Sequence, residues 1–156
     1  MPKCLAFRSL VAALGLLTLS PMLHAQALEP QKFNLVSTVG LDPATCAEST
    51  HMALPGGTQR VIVCLRAETS EGMELHLHDL LSEQLGVLVS DLHYTLGANA
   101  SVFYTYALDL SGTTAIASAW IARNLDGQIV CDLSQSLVTV GDTRTSRPPP
   151  TTLECP

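Results

Sequence analysis

The chain has 156 residues, 47% of them hydrophobic, with eight basic residues against fourteen acidic ones and a formal net charge of −6. That length suits one domain with its own core. The acid excess repels nucleic acid and anionic lipid, and no basic patch offsets it, so a nucleic-acid partner is excluded from the expectations.

Lys3 and Arg8 precede an apolar run from Leu10 to Leu19, and Ala25-Gln26-Ala27 closes the segment. A basic stretch, a short apolar stretch and a small-x-small site, in that order, predict a secretory signal peptide over residues 1–27. The run is shorter than the roughly 20 residues a membrane-spanning helix needs, and Pro21 breaks the helix after it, just before the cleavage site. No transmembrane segment is therefore expected after cleavage. Cys4 precedes the apolar run and no cysteine closely follows it, so a lipid-attachment site is not expected. Cleavage removes Lys3 and Arg8, leaving six basic residues against fourteen acidic ones, a net charge of −8. The expected location is the periplasm or the medium.

Residues 28–43 read as an N-terminal lead-in, with Phe33 to Val39 a first candidate strand. In Gln59 to Arg66, Val61, Val63 and Leu65 share one face, and the β-branched content fits a sheet. Glu74 to His78 alternates, which predicts Leu75 and Leu77 inward and Glu74, His76 and His78 outward. Asp79 to Gln84 is the one stretch that reads as a helical turn. Further strands are expected at Leu85 to Val89, Val102 to Leu110, Thr113 to Ala122 (with Trp120), Gln128 to Leu133 and Leu137 to Val140.

Turn signals separate these runs: Pro55-Gly56-Gly57, Ser70-Glu71-Gly72, Gly97-Ala98-Asn99, Ser111-Gly112, Asp126-Gly127 and Gly141-Asp142. Asp126-Gly127 is the strongest, because glycine accepts the positive φ of tight hairpin turns. Seven or eight short strands with such punctuation predict an all-β antiparallel sandwich over residues 44–142. Residues 143–156 form a Pro-rich C-terminal tail containing Pro148-Pro149-Pro150.

An exported chain oxidises its thiols, so Cys46, Cys64, Cys131 and Cys155 are disulfide candidates. Four cysteines allow three connectivities. Cys46–Cys64 and Cys131–Cys155 are favoured because each pair brackets a turn. A tetrahedral zinc site is the competing use, but no close C-x-x-C pair supports it.

From Thr45 to Asn124 a series of short motifs follows in order. Cys46 comes first, then Pro55-Gly56-Gly57-Thr58 leading into Val61 to Leu65 with Cys64. His78-Asp79-Leu80, Gln84-Leu85-Gly86, the Leu96 to Ser101 turn and Ala117-Ser118-Ala119-Trp120 come after it. Together they resemble a bacterial cell-surface conserved-repeat domain of unknown function with an immunoglobulin-like β-sandwich fold. Departures from that pattern are Ser118 in place of alanine, Ser82 or Glu83 at a usual acidic position, and Thr69-Ser70-Glu71-Gly72 for an Asn-Thr-Gly turn. The resemblance implies a structural or adhesive module of the cell envelope, with a protein or glycan partner and no established activity.

His76 and His78, two apart in a strand, point to the same face and make a candidate metal pair, the basis of an alternative reading as a periplasmic metal-binding protein. Glu74 would share that face, while His51, Asp79 and His93 depend on loop packing for a third ligand; the plainer reading is two solvent-facing histidines. Ser82, Ser90, Ser101 and Ser111 lie in no Gly-x-Ser-x-Gly elbow, and Glu71 and Glu74, in a turn region, do not support paired-carboxylate catalysis. Neither an enzyme nor a cofactor is expected. On Val102 to Leu110, Phe103 faces opposite to Tyr104 and Tyr106. One set packs the core, and an exposed Tyr104/Tyr106 pair is a candidate binding surface. Asn99-Ala100-Ser101 matches a glycosylation sequon by chance if the chain is bacterial.

Overall fold

The computed structural model describes residues 32–141 and 151–156. The expected signal peptide and most of the Pro-rich tail lie outside the described residues. Eight strands follow in chain order: β1 Phe33–Gly40, β2 His51–Leu54, β3 Gln59–Thr69, β4 Leu75–Ser82, β5 Gly86–Leu96, β6 Ser101–Leu110, β7 Thr114–Arg123 and β8 Ile129–Val140. They form two packed sheets, one of three strands ordered β1-β3-β6 and one of five ordered β2-β8-β7-β4-β5. All pairings are antiparallel except that of β2 with β8. The architecture is the all-β sandwich expected, and among the described residues no helix is long and apolar enough to cross a membrane.

Alternation builds the core. Val61, Val63, Leu65 and Ala67 of β3 are fully buried, and they face Ile116, Trp120 and Ala122 of β7 with Leu80 of β4. Tyr106, Leu108 and Leu110 supply the inward face of β6. Leu35 and Val39 of β1 belong to the same core, so the lead-in is structural: β1 pairs with β3 from Phe33 to Gly40.

Two expectations about elements are corrected and one further strand is found, each for a physical reason. The segment Asp79–Gln84 is not a helical turn; β4 runs to Ser82, whose side chain points inward to accept a hydrogen bond from the Tyr106 hydroxyl at 3.3 Å. The two runs Gln128–Leu133 and Leu137–Val140 are one strand. Ser134 and Ser136 do not break it because they spend their hydroxyls on Ser37 of β1: Ser37 N–H donates to Ser134 Oγ at 2.8 Å, and Ser136 Oγ lies 3.2 Å from Ser37 Oγ. β2, which carries no sequence alternation strong enough to read, is held by its parallel pairing with Leu137–Val140.

Among the described residues the two sheets close on each other along one side only. The N–H of Leu35 donates to Asp132 Oδ2 at 2.7 Å, that of Ser37 to Ser134 Oγ, and that of Val39 to the Ser49 carbonyl at 2.8 Å. The next residue, Thr50, accepts from Leu137 N–H of β8 at 2.8 Å. Side chains of β8 and a two-residue bridge therefore consume the outer donors of edge strand β1, which otherwise would stand unpaired. On the opposite side, β6 and β5 are edges with no strand beyond them among the described residues.

Candidate binding surface

Two disulfides pin irregular segments to the sheets. Cys46–Cys64 has a Cα–Cα separation of 5.4 Å and Cys131–Cys155 one of 5.8 Å. Both pairings are those favoured from spacing, and the compartment they indicate is oxidising and extracytoplasmic. Cys64 lies on the outer face of β3 and draws the loop after β1 across that sheet. The close approach requires glycine at the loop's start, since a Cβ at Gly40 would sit 2.8 Å from the Ala47 Cβ. At the other end, Thr152 N–H and Oγ1 donate to Glu83 Oε1 at 2.9 and 2.8 Å, and these bonds hold the Glu83 carboxyl below the usual carboxylate range.

The histidine pair does not converge. A register shift between Leu75 and Leu77 resets the alternation of β4, so His78 turns into the core beside Leu80 and Ser82 while His76 stays near the surface. Trp120 Nε1–H donates to His78 Nδ1 at 3.1 Å, so that nitrogen is unprotonated; Nε2–H then donates to the Tyr94 carbonyl at 2.9 Å. The Trp120 ring meets the imidazole edge-on at 86°. Burial lowers the His78 pKa, partly offset by the Tyr94 and Leu75 carbonyls. His78 is a structural tie among β4, β5 and β7. His76 instead contacts Glu74 at 2.9 Å and Thr95 Oγ1 at 3.2 Å. Asp79 is taken by Arg123 at 3.1 Å and by Asp91 N–H at 2.8 Å, while His51 and His93 are exposed on β2 and β5. Among the described residues no group of three or more His, Cys, Asp or Glu side chains is placed to hold a metal ion.

The tyrosine pair is not a surface feature. Tyr106 is buried, with its hydroxyl 3.1 Å from Ser118 Oγ and bonded to Ser82; burial raises its pKa against those two bonds. Tyr104 is half-buried on the same face, its ring 6.5 Å from that of Tyr106. Alternation shows that Phe103 opposes them but not which side is wet. The inward polar side chains that receive the Tyr106 hydroxyl decide it, and those sit on other strands.

The exposed aromatic of β6 is Phe103, 64% accessible. It shares the outer face with Thr105, Ala107 and Asp109. Beside this row an open cavity of about 390 Å³ is lined by Leu41 and Pro43 of the loop, Arg60 and Ile62 of β3, and Thr105, Tyr106 and Ala107 of β6. Leu41 is itself 60% accessible. The disulfide-tethered loop thus covers the β1 half of this sheet and stops short of β6, leaving an apolar margin with a hollow along it. Phe103 and Leu41 were not singled out from sequence as contact residues, because exposed and buried hydrophobics look alike in one dimension.

No family model matches the chain, and none of the curated proteins matches its sequence.

Proposed function

We propose that this protein is an exported, non-catalytic β-sandwich module of the bacterial cell envelope, immunoglobulin-like in kind, that works by contacting another envelope protein. The observation that carries the reading is the apolar margin of the smaller sheet. Leu41 lines the hollow with Ile62 and Ala107, Phe103 stands exposed on the same face of β6 as Thr105 and Ala107, and exposed apolar surface of this sort marks interaction sites. The two disulfides and the export signal at residues 1–27 support the location. With His78 sequestered in the core, no observation favours the metal-binding alternative.

Expression of the whole chain in a Gram-negative host, followed by fractionation and intact-mass measurement, tests the location. The expected product begins at Leu28, is recovered outside the cytoplasm, and lacks four hydrogens relative to the fully reduced form. Cytoplasmic precursor with free thiols would overturn the reading.

A further inference from the structure

We propose that the free edge of β6 pairs with β6 of a second copy of this chain, in antiparallel register about Thr105, and that Phe103 of each copy enters the hollow of the other. This names the partner for the margin assigned above and rests on that assignment. Edge strands invite pairing unless they are blunted, and three of the four here are. β1 is sealed by Asp132, Ser134 and Ser49. β2 has only four residues. β5 is broken by register shifts and by Asp91 at φ 52°, a bend held by the Asp79 carboxylate. Among the described residues β6 alone has no such device. It runs ten residues in unbroken register with β3, with no proline or lysine and a single charge, Asp109.

The sequence of β6 is self-complementary in one register. A two-fold pairing must match residues of one face, so Phe103, Thr105 and Ala107 meet only each other and other odd-numbered neighbours. Centred on Thr105, threonine meets threonine, Tyr104 meets Tyr106, Val102 meets Leu108, and Asp109 meets Ser101, so no like charges oppose. Centring on Tyr106 would set Phe103 against Asp109; centring on Tyr104 would set it against Thr105, away from the hollow. With Thr105 at the centre, Phe103 of one copy stands opposite Ala107 of the other. Ala107 is the partner of Ile62 in the β3–β6 ladder, and both line the hollow. The most exposed aromatic side chain therefore arrives at the lip of the cavity it fits. The product is one continuous sheet, β1-β3-β6 joined to its copy, with both open margins consumed.

Multi-angle light scattering on the oxidised protein lacking residues 1–27 tests the oligomer, and site-specific crosslinking tests the register. The expected mass is twice that of the chain at concentrations up to ~200 µM, and Phe103→Glu gives the monomer with an unchanged circular-dichroism spectrum. Under mild oxidation Thr105→Cys forms a covalent dimer faster than Leu125→Cys, although Leu125 is far more exposed, at 81%. A monomeric wild type over that range, or crosslinking through position 125 as fast as through 105, overturns the proposal. Either result would leave the envelope-module reading standing, because that is decided by fractionation and thiol state.

Discussion

The two margins of the smaller sheet are built from strands of similar length and treated in opposite ways. At β1 the outward donors of Leu35, Ser37 and Val39 are engaged by Asp132 and Ser134 of β8 and by the Ser49 carbonyl of the loop before β2. At β6 the outer donors and acceptors have no strand partner among the described residues, and the outward face of the strand carries the exposed Phe103 with Asp109 as its single charge. Where a sandwich closes on itself, polar side chains appear inside strands; where it stays open, apolar ones appear outside. The difference sets the margins apart: at β1 two side chains of β8 and a loop carbonyl already engage the donors of Leu35, Ser37 and Val39.

Removing the clamp at the closed margin has the largest expected effect. Cys46→Ala with Cys64→Ala frees the loop that carries Ser49, and loss of about 2–5 kcal/mol is expected, read as a shift in the denaturant midpoint. Asp132→Ala strips the charged acceptor from Leu35 N–H, which lies 2.7 Å away. A loss of about 1.5–3 kcal/mol is expected, with faster amide exchange at Leu35 while β6 is unaffected.

Acid acts on the open side, through the tie that holds β5 to β4 and β7. Folding lowers the pKa of His78 below its ordinary value of 6.5, so the unfolded chain takes up this proton first. The contribution is complete above that value and declines as the pH falls below it toward the folded pKa. His78→Gln keeps one donor and one acceptor but does not titrate. Chemical denaturation at a series of pH values should show a flatter profile for this variant than for the wild type. Smallest of all is the effect of Phe103→Glu on monomer stability, expected within about 0.5 kcal/mol because the side chain is mostly in water. A larger loss would mean that Phe103 belongs to the fold and not to a contact.

The fold was legible where one face is purely apolar. β3 declares itself through Val61, Val63 and Leu65, and Asp126-Gly127 marks the β7–β8 hairpin, with Gly127 at φ 79°. It was illegible where polar residues face inward. Ser134 and Ser136 look like a break in β8, and Ser82 looks like a turn, because their partners Ser37 and Tyr106 lie 97 to 99 and 24 residues away in the chain. A register shift, invisible in the residue pattern, turns His78 from an expected solvent-facing residue into a core group. The cysteine pairing was readable from spacing and export. The contact margin was not, since the hollow is assembled from a loop and two strands whose order in space only the fold reveals.

Residue-resolved amide exchange on dilute protein compares the margins most directly. Slow exchange is predicted at Leu35, Ser37 and Val39, and fast exchange at every second amide of Val102 to Asp109, becoming slow as the concentration is raised. Uniformly slow exchange along β6 in dilute solution, equal to that of β1, would contradict an open margin.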